Sequence, residues 1–353
     1  MEPQFSFGVI ADVQYADNDN CYNFSQTNMR YYRNALPSLR NAVDHWMKDK
    51  RNISFVVQLG DVIDGCNTKN GGKAESWRVL SLVMDELDQF PGPVHHLIGN
   101  HELYNFTRDE LCESKLFSVV NGFMSTQNYN CAREDDSRKK FYYHFSPFEG
   151  YRFVIMDSYD VAMLGWGEDC SVTQQSREIL TSVNFNKELN SPVGLKGNDR
   201  RFVEFNGAIG ERQRQWLKEV LQSAENDNEK VMIFGHIPFY PHKKDQMCLL
   251  WDYELVLEIL HKFSCVVATF AGHLHRTRYT LDANIHHICI PAVVETPPGS
   301  DAFGTIDVYA NRIILNGHGS VESEEFIYRQ NVLAQEVAVG SVATKKELAD
   351  HSI

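Results

Sequence analysis

The sequence predicts an α/β fold in which two packed β-sheets are flanked by helices. Two observations lead to this prediction. Apolar, strand-like runs alternate with amphipathic helical stripes through the first half of the 353-residue chain. The segment from about 286 to 316 then has the pattern of successive strands without helices between them. A parallel βα layer followed by further strands is typical of two sheets that pack together with helices on the outside.

The amphipathic stripes predict where the helices lie. Apolar side chains recur at helical spacing in four segments, and in each of them polar side chains cover the opposite face. Proline interrupts the first stripe, since it cannot donate the hydrogen bond that a helix interior requires. The four segments are 26–49, which Pro37 interrupts, then 74–90, 210–225 and 252–263.

Composition and charge exclude several functions. The net charge of −13, from 34 basic and 47 acidic residues, argues against a surface for polyanions, so no nucleic-acid partner is expected. No apolar run reaches the roughly 18 residues that span a bilayer, so no membrane association is expected. Eight cysteines at irregular spacing, without a secretion signal, indicate reduced thiols. These features predict a cytoplasmic protein, which we expect to be a monomer.

Five short motifs rich in Asp, Asn and His each follow one of the predicted strands. A single Asp at a strand end, or a lone Gly-His pair, is commonly a cap or a turn. Five such motifs, each after a strand, instead predict that oxygen and imidazole ligands converge on a metal cluster. The motifs are Asp12-Val13-Gln14, Gly60-Asp61-Val62-Ile63-Asp64, Gly99-Asn100-His101-Glu102, Gly235-His236-Ile237-Pro238 and Gly272-His273-Leu274-His275.

Because the motifs join residues 12 to 275 into one site, the sequence predicts one large catalytic domain. We place this domain at 1–320. The segment 321–353 carries no motif and is predicted to be a C-terminal extension or tail.

The motif set resembles the calcineurin-like metallophosphoesterase family, whose pattern is D-x-H, G-D-x-x-D, G-N-H, H and G-H-x-H. The resemblance covers about residues 5 to 318 and implies that family's sandwich of two mostly mixed β-sheets flanked by helices. It also implies two divalent metal ions. One ion would be bound by Asp12, Gln14, Asp61 and His275, and the other by Asp61, Asn100, His236 and His273, with Asp61 bridging the two.

The resemblance also implies a mechanism. Two ions would share a hydroxide that attacks phosphorus in line, because bound metals lower the pKa of water and neutralise charge on the phosphoryl oxygens. His101 is expected to protonate or stabilise the leaving oxygen. In the family the second Asp of G-D-x-x-D orients this histidine, and Asp64 is the matching position.

Gln14 departs from the family pattern, which has histidine at this position. An amide oxygen is a harder ligand than imidazole, and oxygen-rich sites favour Mn²⁺ or Mg²⁺ over Zn²⁺. The three histidines shift the preference back from Mg²⁺ towards Mn²⁺. The sequence therefore predicts activation by Mn²⁺, with Mg²⁺ and Zn²⁺ as the other possible ions.

The second motif indicates a class of substrate. Gly60 to Cys66 lack the arginine that protein serine/threonine phosphatases place after the second Asp, which weakens the phosphoprotein interpretation. Longer stretches, among them FGVIADVQYAD, GNHELYNFTRDEL and LNSPVGL, resemble one branch of the family. This closer resemblance implies hydrolysis of the diphosphate linkage in ADP-ribose, in CDP-alcohols such as CDP-choline and CDP-glycerol, and in related nucleotides.

Loops near the motifs are the candidates for binding the nucleotide base. Phe24 follows the first motif, and Cys248 follows His236. Leu195 lies within residues 160–200, which have no clear periodicity and are predicted to form a long loop. Phe24, Leu195 and Cys248 are therefore the predicted substrate-binding residues, although each has an ordinary alternative as a packing residue.

Three alternative functions stay open at this level. Cleavage of cyclic nucleotide phosphodiesters is the nearest related chemistry, and phosphoprotein dephosphorylation is a second possibility. A non-catalytic scaffold that keeps the fold only for protein binding is the third. The scaffold alternative predicts lost ligands, whereas every ligand position of the family pattern carries a ligand-type side chain here.

Overall fold

The computed structural model describes residues 2–23, 25–117 and 141–328. Strand β1 (Phe5–Ile10) lies at the centre of the first sheet and is buried throughout, as expected of a strand covered on both faces. It pairs in parallel with β4 (Val56–Gln58) and antiparallel with β12 (Ala302–Tyr309). The order of the sheet is β14-β13-β12-β1-β4-β5, completed by β5 (Val94–His96), β13 (Arg312–Gly319) and β14 (Glu324–Ile327).

The second sheet has four parallel strands between two antiparallel edges. Its order is β10-β11-β9-β8-β7-β6, and β11, β9, β8 and β7 run in parallel. A short separate hairpin precedes the first helix and consists of β2 (Cys21–Tyr22) and β3 (Met29–Arg30). The strands of the second sheet are β6 (Tyr143–Phe148), β7 (Tyr151–Ile155), β8 (Lys230–Phe234), β9 (Val266–Ala271), β10 (Arg278–Asp282) and β11 (Ile285–Cys289).

Phenylalanine rings join the two sheets. The ring of Phe7 on β1 makes edge contacts with Phe153 on β7 and Phe234 on β8, at centroid distances of 5.7 and 6.0 Å. Phe7, Phe153 and Phe234 are fully buried. Edge-on aromatic pairs bury large apolar areas and add a geometric preference of their own. The predicted sandwich of two mixed sheets is therefore confirmed, and its centre is aromatic.

The first predicted helix is wrong at its beginning. Residues 26–34 contain the end of the β2–β3 hairpin and a 3₁₀ turn, and the helix extends only over Ala35–Lys48. Pro37 lies in the first turn of this helix, where its missing N–H has no intrahelical partner to lose. The proline therefore marks the helix start instead of interrupting a longer helix.

The other predicted helices match the observed helices to different extents. The helix assigned to Cys66–Leu87 is broken by non-helical backbone at Gly71 and Gly72, so the regular segment begins near the predicted residue 74. The helices Glu211–Asn226 and Tyr253–Leu260 lie where the sequence predicts them. Three shorter elements complete this part of the chain: the helices Asn100–Asn105 and Arg108–Cys112 and the 3₁₀ turn Lys115–Phe117.

The sequence predicts a long loop over residues 160–200, but the structure differs. The segment contains the helix Ser171–Val183, whose buried face includes Val172, Ser176 and Leu180 at a spacing of four residues. Serine and glutamine dilute the apolar stripe, and the helix becomes amphipathic only when the neighbouring chain covers this face. The prediction of a long loop is wrong for these thirteen residues.

The first sheet extends beyond residue 320, since β14 pairs antiparallel with β13 over Arg312–Leu315. The predicted tail from 321 to 353 thus begins inside described sheet structure, and residues 329–353 lie outside the described part. Among the described residues, no helix has the length and apolar character that crossing a membrane requires.

Candidate metal centre

The carboxyl ends of parallel strands bring the five motifs together. In the first sheet β1, β4 and β5 run in parallel, and in the second sheet β8 and β9 do so. Strands that share a direction present their following loops at one edge of the sheet. The residues that meet at this edge are Asp12 after β1, Asp61 after β4, Asn100 after β5, His236 after β8, and His273 and His275 after β9.

Two groups of ligand-type atoms form at this edge and share Asp61. One group is Asp61, His236 and His273, and the other is Asp12, Asp61 and His275, with all ligand atoms of a group within 4.8 Å of one another. Asp61 Oδ2 lies 3.4 Å from His236 Nε2, and Asp12 Oδ1 lies 3.4 Å from His275 Nε2. Ligands that share an ion at about 2.1 Å stand roughly 3 Å apart. The separations therefore suit two ions joined by one carboxylate.

Each histidine of the two groups is oriented by an oxygen atom outside them. His236 Nδ1 lies 2.7 Å from Leu59 O, His273 Nε2 lies 2.8 Å from Asn206 Oδ1, and His275 Nδ1 lies 2.9 Å from Glu295 Oε1. When one ring nitrogen donates to such an acceptor, the other keeps the lone pair that binds a metal. The nitrogens left for metal binding are His236 Nε2, His273 Nδ1 and His275 Nε2, and each faces the groups described above.

The amide of Gln14 also fits a metal site. Its Nε2 lies 3.0 Å from both Asp61 Oδ2 and His275 Nε2, while its Oε1 is buried without a hydrogen-bond partner. The orientation of an amide is inferred from its hydrogen bonds, and a half-turn exchanges the two atoms. The exchange would place the unpartnered oxygen beside Asp61 and His275, where a divalent ion would satisfy it.

Asn100 completes the predicted ligand set. It lies at the start of the helix Asn100–Asn105 and lines the same cavity as Asp61 and His273. Its Oδ1 accepts a hydrogen bond from the hydroxyl of Tyr159, at 3.2 Å. The structure thus brings together all seven predicted ligand residues, from Asp12 to His275.

The backbone at the centre is strained at the ligands themselves. Asp12, Gln14, Asp61, His273 and His275 have φ values of 52°, 44°, 57°, 63° and 59°. Residues other than glycine seldom adopt this left-handed region, and such strain concentrates at functional sites that the surrounding structure holds in place. The sharp turns point successive ligand side chains towards one point in space.

Glycines allow the motif loops to approach one another closely. A Cβ atom at Gly99 would lie 2.0 Å from Asp61 Oδ1, and one at Gly60 would lie 2.4 Å from His236 Nδ1. Both distances are far below van der Waals contact, so any side chain here would displace a ligand. Gly60 and Gly99 are therefore required by the close packing of the ligands.

Glu102 holds two of the motif loops together. Its carboxylate accepts hydrogen bonds from the backbone N–H groups of Asp61, Val62 and Gly99, at 2.8, 2.7 and 2.8 Å. Burial, followed by the negative charge of Asp61, raises the pKa of Glu102 to about 7. Glu102 thus fixes the backbone on both sides of the Asp61 carboxylate.

The charged ligand residues shift one another's pKa values. Burial alone would raise the pKa of Asp61, but the neighbouring His236 and His101 lower it below its usual range. Burial would lower the pKa of His236 and of His275, yet Asp61 and Asp12 raise both values to about 9. In the metal-free protein these imidazoles therefore hold protons that a divalent ion displaces on binding.

His101 and Asp64 lie at one side of the metal centre. His101 Nδ1 is 3.1 Å from Asp64 Oδ2 and 2.8 Å from the backbone nitrogen of Gly65, and its Nε2 is 4.0 Å from Asp61 Oδ2. Burial would lower the pKa of His101, but the carboxylates of Asp61 and Asp64 raise it. The imidazole is thus held beside the metal ligands and lines the cavity above them.

A cavity of about 490 Å³ opens above the two groups. Of the predicted substrate-binding residues, Cys248 lines this cavity and Leu195 does not. Phe24 lies outside the described residues. Sequence reasoning did not single out Phe205, which lines the cavity with its ring 5.6 Å from that of His273.

The fold and the metal centre define a calcineurin-like phosphoesterase. The family model of that description matches residues 5–277, so the chain belongs to this family. A solved structure described as a dimetal phosphatase from Danio rerio superposes with a TM-score of 0.84 at 39% identity, covering 93% of this chain and 100% of that one. The resemblance inferred from the motifs is confirmed.

The relatives of this chain include proteins of one name from animals and plants. Manganese-dependent ADP-ribose/CDP-alcohol diphosphatase from Xenopus laevis is 42% identical over 331 residues, covering 93% of this chain and 92% of that protein. The enzyme of the same name from Homo sapiens is 41% identical over 330 residues, covering 93% and 94%. That from Arabidopsis thaliana is 39% identical over 326 residues, covering 92% and 97%.

Proposed function

We propose that this protein is a manganese-dependent hydrolase that cleaves the diphosphate linkage of ADP-ribose, CDP-alcohols and related nucleotides. The observation that carries the proposal is the pair of ligand groups that share Asp61 beneath one cavity. The names of relatives about 40% identical over nearly the whole chain support the substrate class.

The ligand set of the first motif supports the choice of metal. Asp12, Gln14, Asp61 and His275 would hold one ion, and Asp61, Asn100, His236 and His273 the other. At the Gln14 side three of the four residues, Asp12, Gln14 and Asp61, offer oxygen donors, which suits Mn²⁺ better than Zn²⁺. When bound, the two ions would supply Lewis-acid stabilisation of the phosphoryl oxygens and a water of lowered pKa.

The chain's own residues supply the other functions of the reaction. His101 would donate a proton from Nε2 to the leaving phosphate oxygen, while Asp64 Oδ2, 3.1 Å from Nδ1, holds the ring in place. Cations on the cavity wall would attract an anionic substrate to an otherwise acidic protein. These cations are Arg200, Lys243, Lys244 and Arg276. We propose that Cys248 and Phe24 contact the base, whereas Leu195, the third predicted substrate-binding residue, does not line the cavity.

We further propose that the protein acts as a cytoplasmic monomer with one catalytic domain, followed by a C-terminal extension. Among the described residues, Cys21, Cys66, Cys248 and Cys289 are free thiols, which is compatible with a reducing compartment.

A substrate panel tests the proposed function. ADP-ribose, CDP-choline, a cyclic mononucleotide and a phosphopeptide are each incubated with the protein and Mn²⁺ or Mg²⁺. We expect turnover of the two diphosphates with Mn²⁺, with release of AMP and ribose 5-phosphate from ADP-ribose and of CMP and phosphocholine from CDP-choline. Turnover confined to the phosphopeptide, or equal rates with the two ions, would overturn the assignment.

A further inference from the structure

Glu295 lies in a turn that is attached to the first metal-binding motif. Backbone hydrogen bonds run from Val293 N to Ala11 O at 3.2 Å and from Val294 N to Asp12 O at 3.1 Å. A third bond runs from Tyr31 N to Val294 O at 2.7 Å. The turn after β11 is therefore fixed between the Asp12 loop and the chain that leaves the β2–β3 hairpin.

One oxygen of the Glu295 carboxylate orients a predicted metal ligand. Oε1 lies 2.9 Å from His275 Nδ1, and His275 Nε2 lies 3.4 Å from Asp12 Oδ1. Because Nδ1–H donates to Glu295, the lone pair of Nε2 faces Asp12 and Gln14. A carboxylate in this position fixes the ring orientation and strengthens the imidazole as a ligand.

The same carboxylate also binds the turn that joins β2 to β3. Asn28 Nδ2 donates to Oε2 at 2.6 Å, and Asn23 Nδ2 donates to Oε1 at 3.3 Å. Arg30 Nε lies 3.8 Å from Oε1, and the side chain of Glu295 is only 7% exposed. Both asparagines line the cavity above the metal centre.

The hairpin needs such an anchor. Each of its strands is two residues long, and they form two residue pairs, Cys21 with Arg30 and Tyr22 with Met29. A two-stranded hairpin of this length is not stable in water by itself. Asn23 Oδ1 accepts the N–H of Thr27 at 2.9 Å, which shapes the turn but does not attach it to the protein.

We propose that Glu295 is a positioning residue that couples the metal centre to the β2–β3 turn at the cavity wall. The ion that His275 binds would favour the ring orientation that Glu295 accepts, and Glu295 would in turn hold Asn28 and Asn23 against the cavity. Coupling of this kind is reciprocal, so ordering the turn should strengthen metal binding to the same degree. The role of the turn in binding a nucleotide diphosphate rests on the proposed function.

The first test measures metal affinity without substrate. In Glu295→Gln one end of the side chain becomes a donor, so it can no longer accept from both His275 and Asn28. We expect Mn²⁺ binding to the metal-free protein, measured by calorimetry, to weaken by about 10–100-fold. The control is Glu322→Gln, which changes an exposed glutamate in the connection between β13 and β14, and it should bind Mn²⁺ as the wild type does. Unchanged affinity in a folded Glu295→Gln protein would refute the coupling.

The second test measures the turn and uses a variant on the surface that should fold normally. Hydrogen exchange of the peptide 21–31 is followed in the full chain with and without Mn²⁺. We expect Mn²⁺ to slow exchange in the wild type, and this metal-dependent protection to be lost in Asn28→Ala. Equal exchange with and without Mn²⁺ in the wild-type protein would contradict the proposal.

Neither measurement involves a nucleotide. If the substrate panel fails while both metal-dependent effects are observed, the proposed activity is wrong and the role of Glu295 stands. If the panel succeeds and both effects are absent, the role of Glu295 is wrong and the activity stands. Kinetics of Asn28→Ala then add a further comparison, because release of the turn should raise KM for ADP-ribose more than it lowers kcat.

Discussion

At the scale of single residues, Gln14 is the predicted ligand position at which this chain departs from the family pattern. Its backbone has the same left-handed conformation as Asp12, Asp61, His273 and His275, and its amide lies 3.0 Å from both Asp61 and His275. The position is therefore built as a ligand position, although the family pattern has histidine there. What differs is the donor atom that the side chain can offer to a metal.

Gln14→His should change metal selectivity. Replacing an amide oxygen by an imidazole nitrogen makes the ligand set softer, so the affinity for Zn²⁺ should rise relative to that for Mn²⁺. We expect the ratio of Zn²⁺ to Mn²⁺ affinity, measured by competition in the metal-free protein, to rise by about tenfold, which corresponds to roughly 1.4 kcal/mol. An unchanged ratio would mean that Gln14 does not contact the metal.

His101→Asn should reduce turnover while leaving Mn²⁺ affinity unchanged. General acid catalysis contributes about 10²–10⁴-fold, and kcat for ADP-ribose should fall by that factor. The loss should be much smaller for bis-p-nitrophenyl phosphate than for diphenyl phosphate, because nitrophenolate leaves without a proton and phenolate is the more basic leaving group. Equal losses on these two diesters would show that His101 does not act on the leaving group.

At the scale of secondary-structure elements, the site depends on how strand ends are joined. Glu102, on the helix after β5, binds backbone N–H groups in the loop after β4. A buried ion pair makes a similar connection between the helix Arg108–Cys112 and the chain after β7. Arg108 contacts Asp157 through Nη2 and donates from Nη1 to Tyr159 O at 3.1 Å.

Asp157→Asn should destabilise the protein strongly. Arg108 and Asp157 are 3% exposed each, so removing the negative charge leaves a buried guanidinium unpaired. We expect the free energy of unfolding in urea to fall by about 3–5 kcal/mol. Asp44→Asn breaks the exposed pair with Lys48 at 3.0 Å and is the control, with an expected loss below about 1 kcal/mol. Equal losses in the two variants would contradict this account.

At the scale of the whole molecule, buried histidines outside the metal centre make stability depend on pH. Burial, with a smaller contribution from His96, lowers the pKa of His95 to about 3, and burial lowers that of His96 to about 4. Burial, followed by the charge of His242, lowers the pKa of His287 to about 3. Between these values and the unfolded pKa of 6.5, the unfolded chain binds more protons than the folded one.

The protein should therefore lose stability as the pH falls from about 6.5 to about 4.5. The histidines with raised pKa at the metal centre contribute a constant amount below 6.5. Glu102 and Asp252, whose pKa values are raised to about 7 and about 6, oppose the effect, but they are outnumbered by the buried neutral imidazoles. We expect the urea midpoint of the metal-free protein to fall across this range, and to fall less in His287→Gln. A midpoint that rises with acidification would contradict the assignment of neutral buried imidazoles.

The residues that form the metal centre could be predicted from the sequence, whereas the residues that orient them could not. Asp61, His236 and the other ligands could be predicted because each stands in a short motif directly after a strand. Asn206 and Glu295 could not, since they contact His273 and His275 across 67 and 20 residues of chain. No local pattern encodes a contact between such distant segments.

The secondary-structure elements also divide into those that the sequence predicts and those that it does not. Phe5–Ile10 is predicted as a buried strand because its apolar run is continuous, and β1 is fully buried in the structure. The hairpin Cys21–Arg30 and the helix Ser171–Val183 were missed, since neither has a periodic apolar face that is evident without its neighbours. Both are stabilised mainly by contacts with other parts of the chain, such as the bonds from Asn23 and Asn28 to Glu295.

The sequence by itself determined the two-sheet α/β class, the family and the chemical types of the seven predicted ligands, because strand periodicity and motif chemistry are local properties. Only the tertiary structure decided that Glu102 and Glu295 hold the ligand residues from behind, and that Cys248 reaches the cavity while Leu195 does not. These facts depend on distances between segments far apart in the chain, and such distances exist only once the two sheets have packed together.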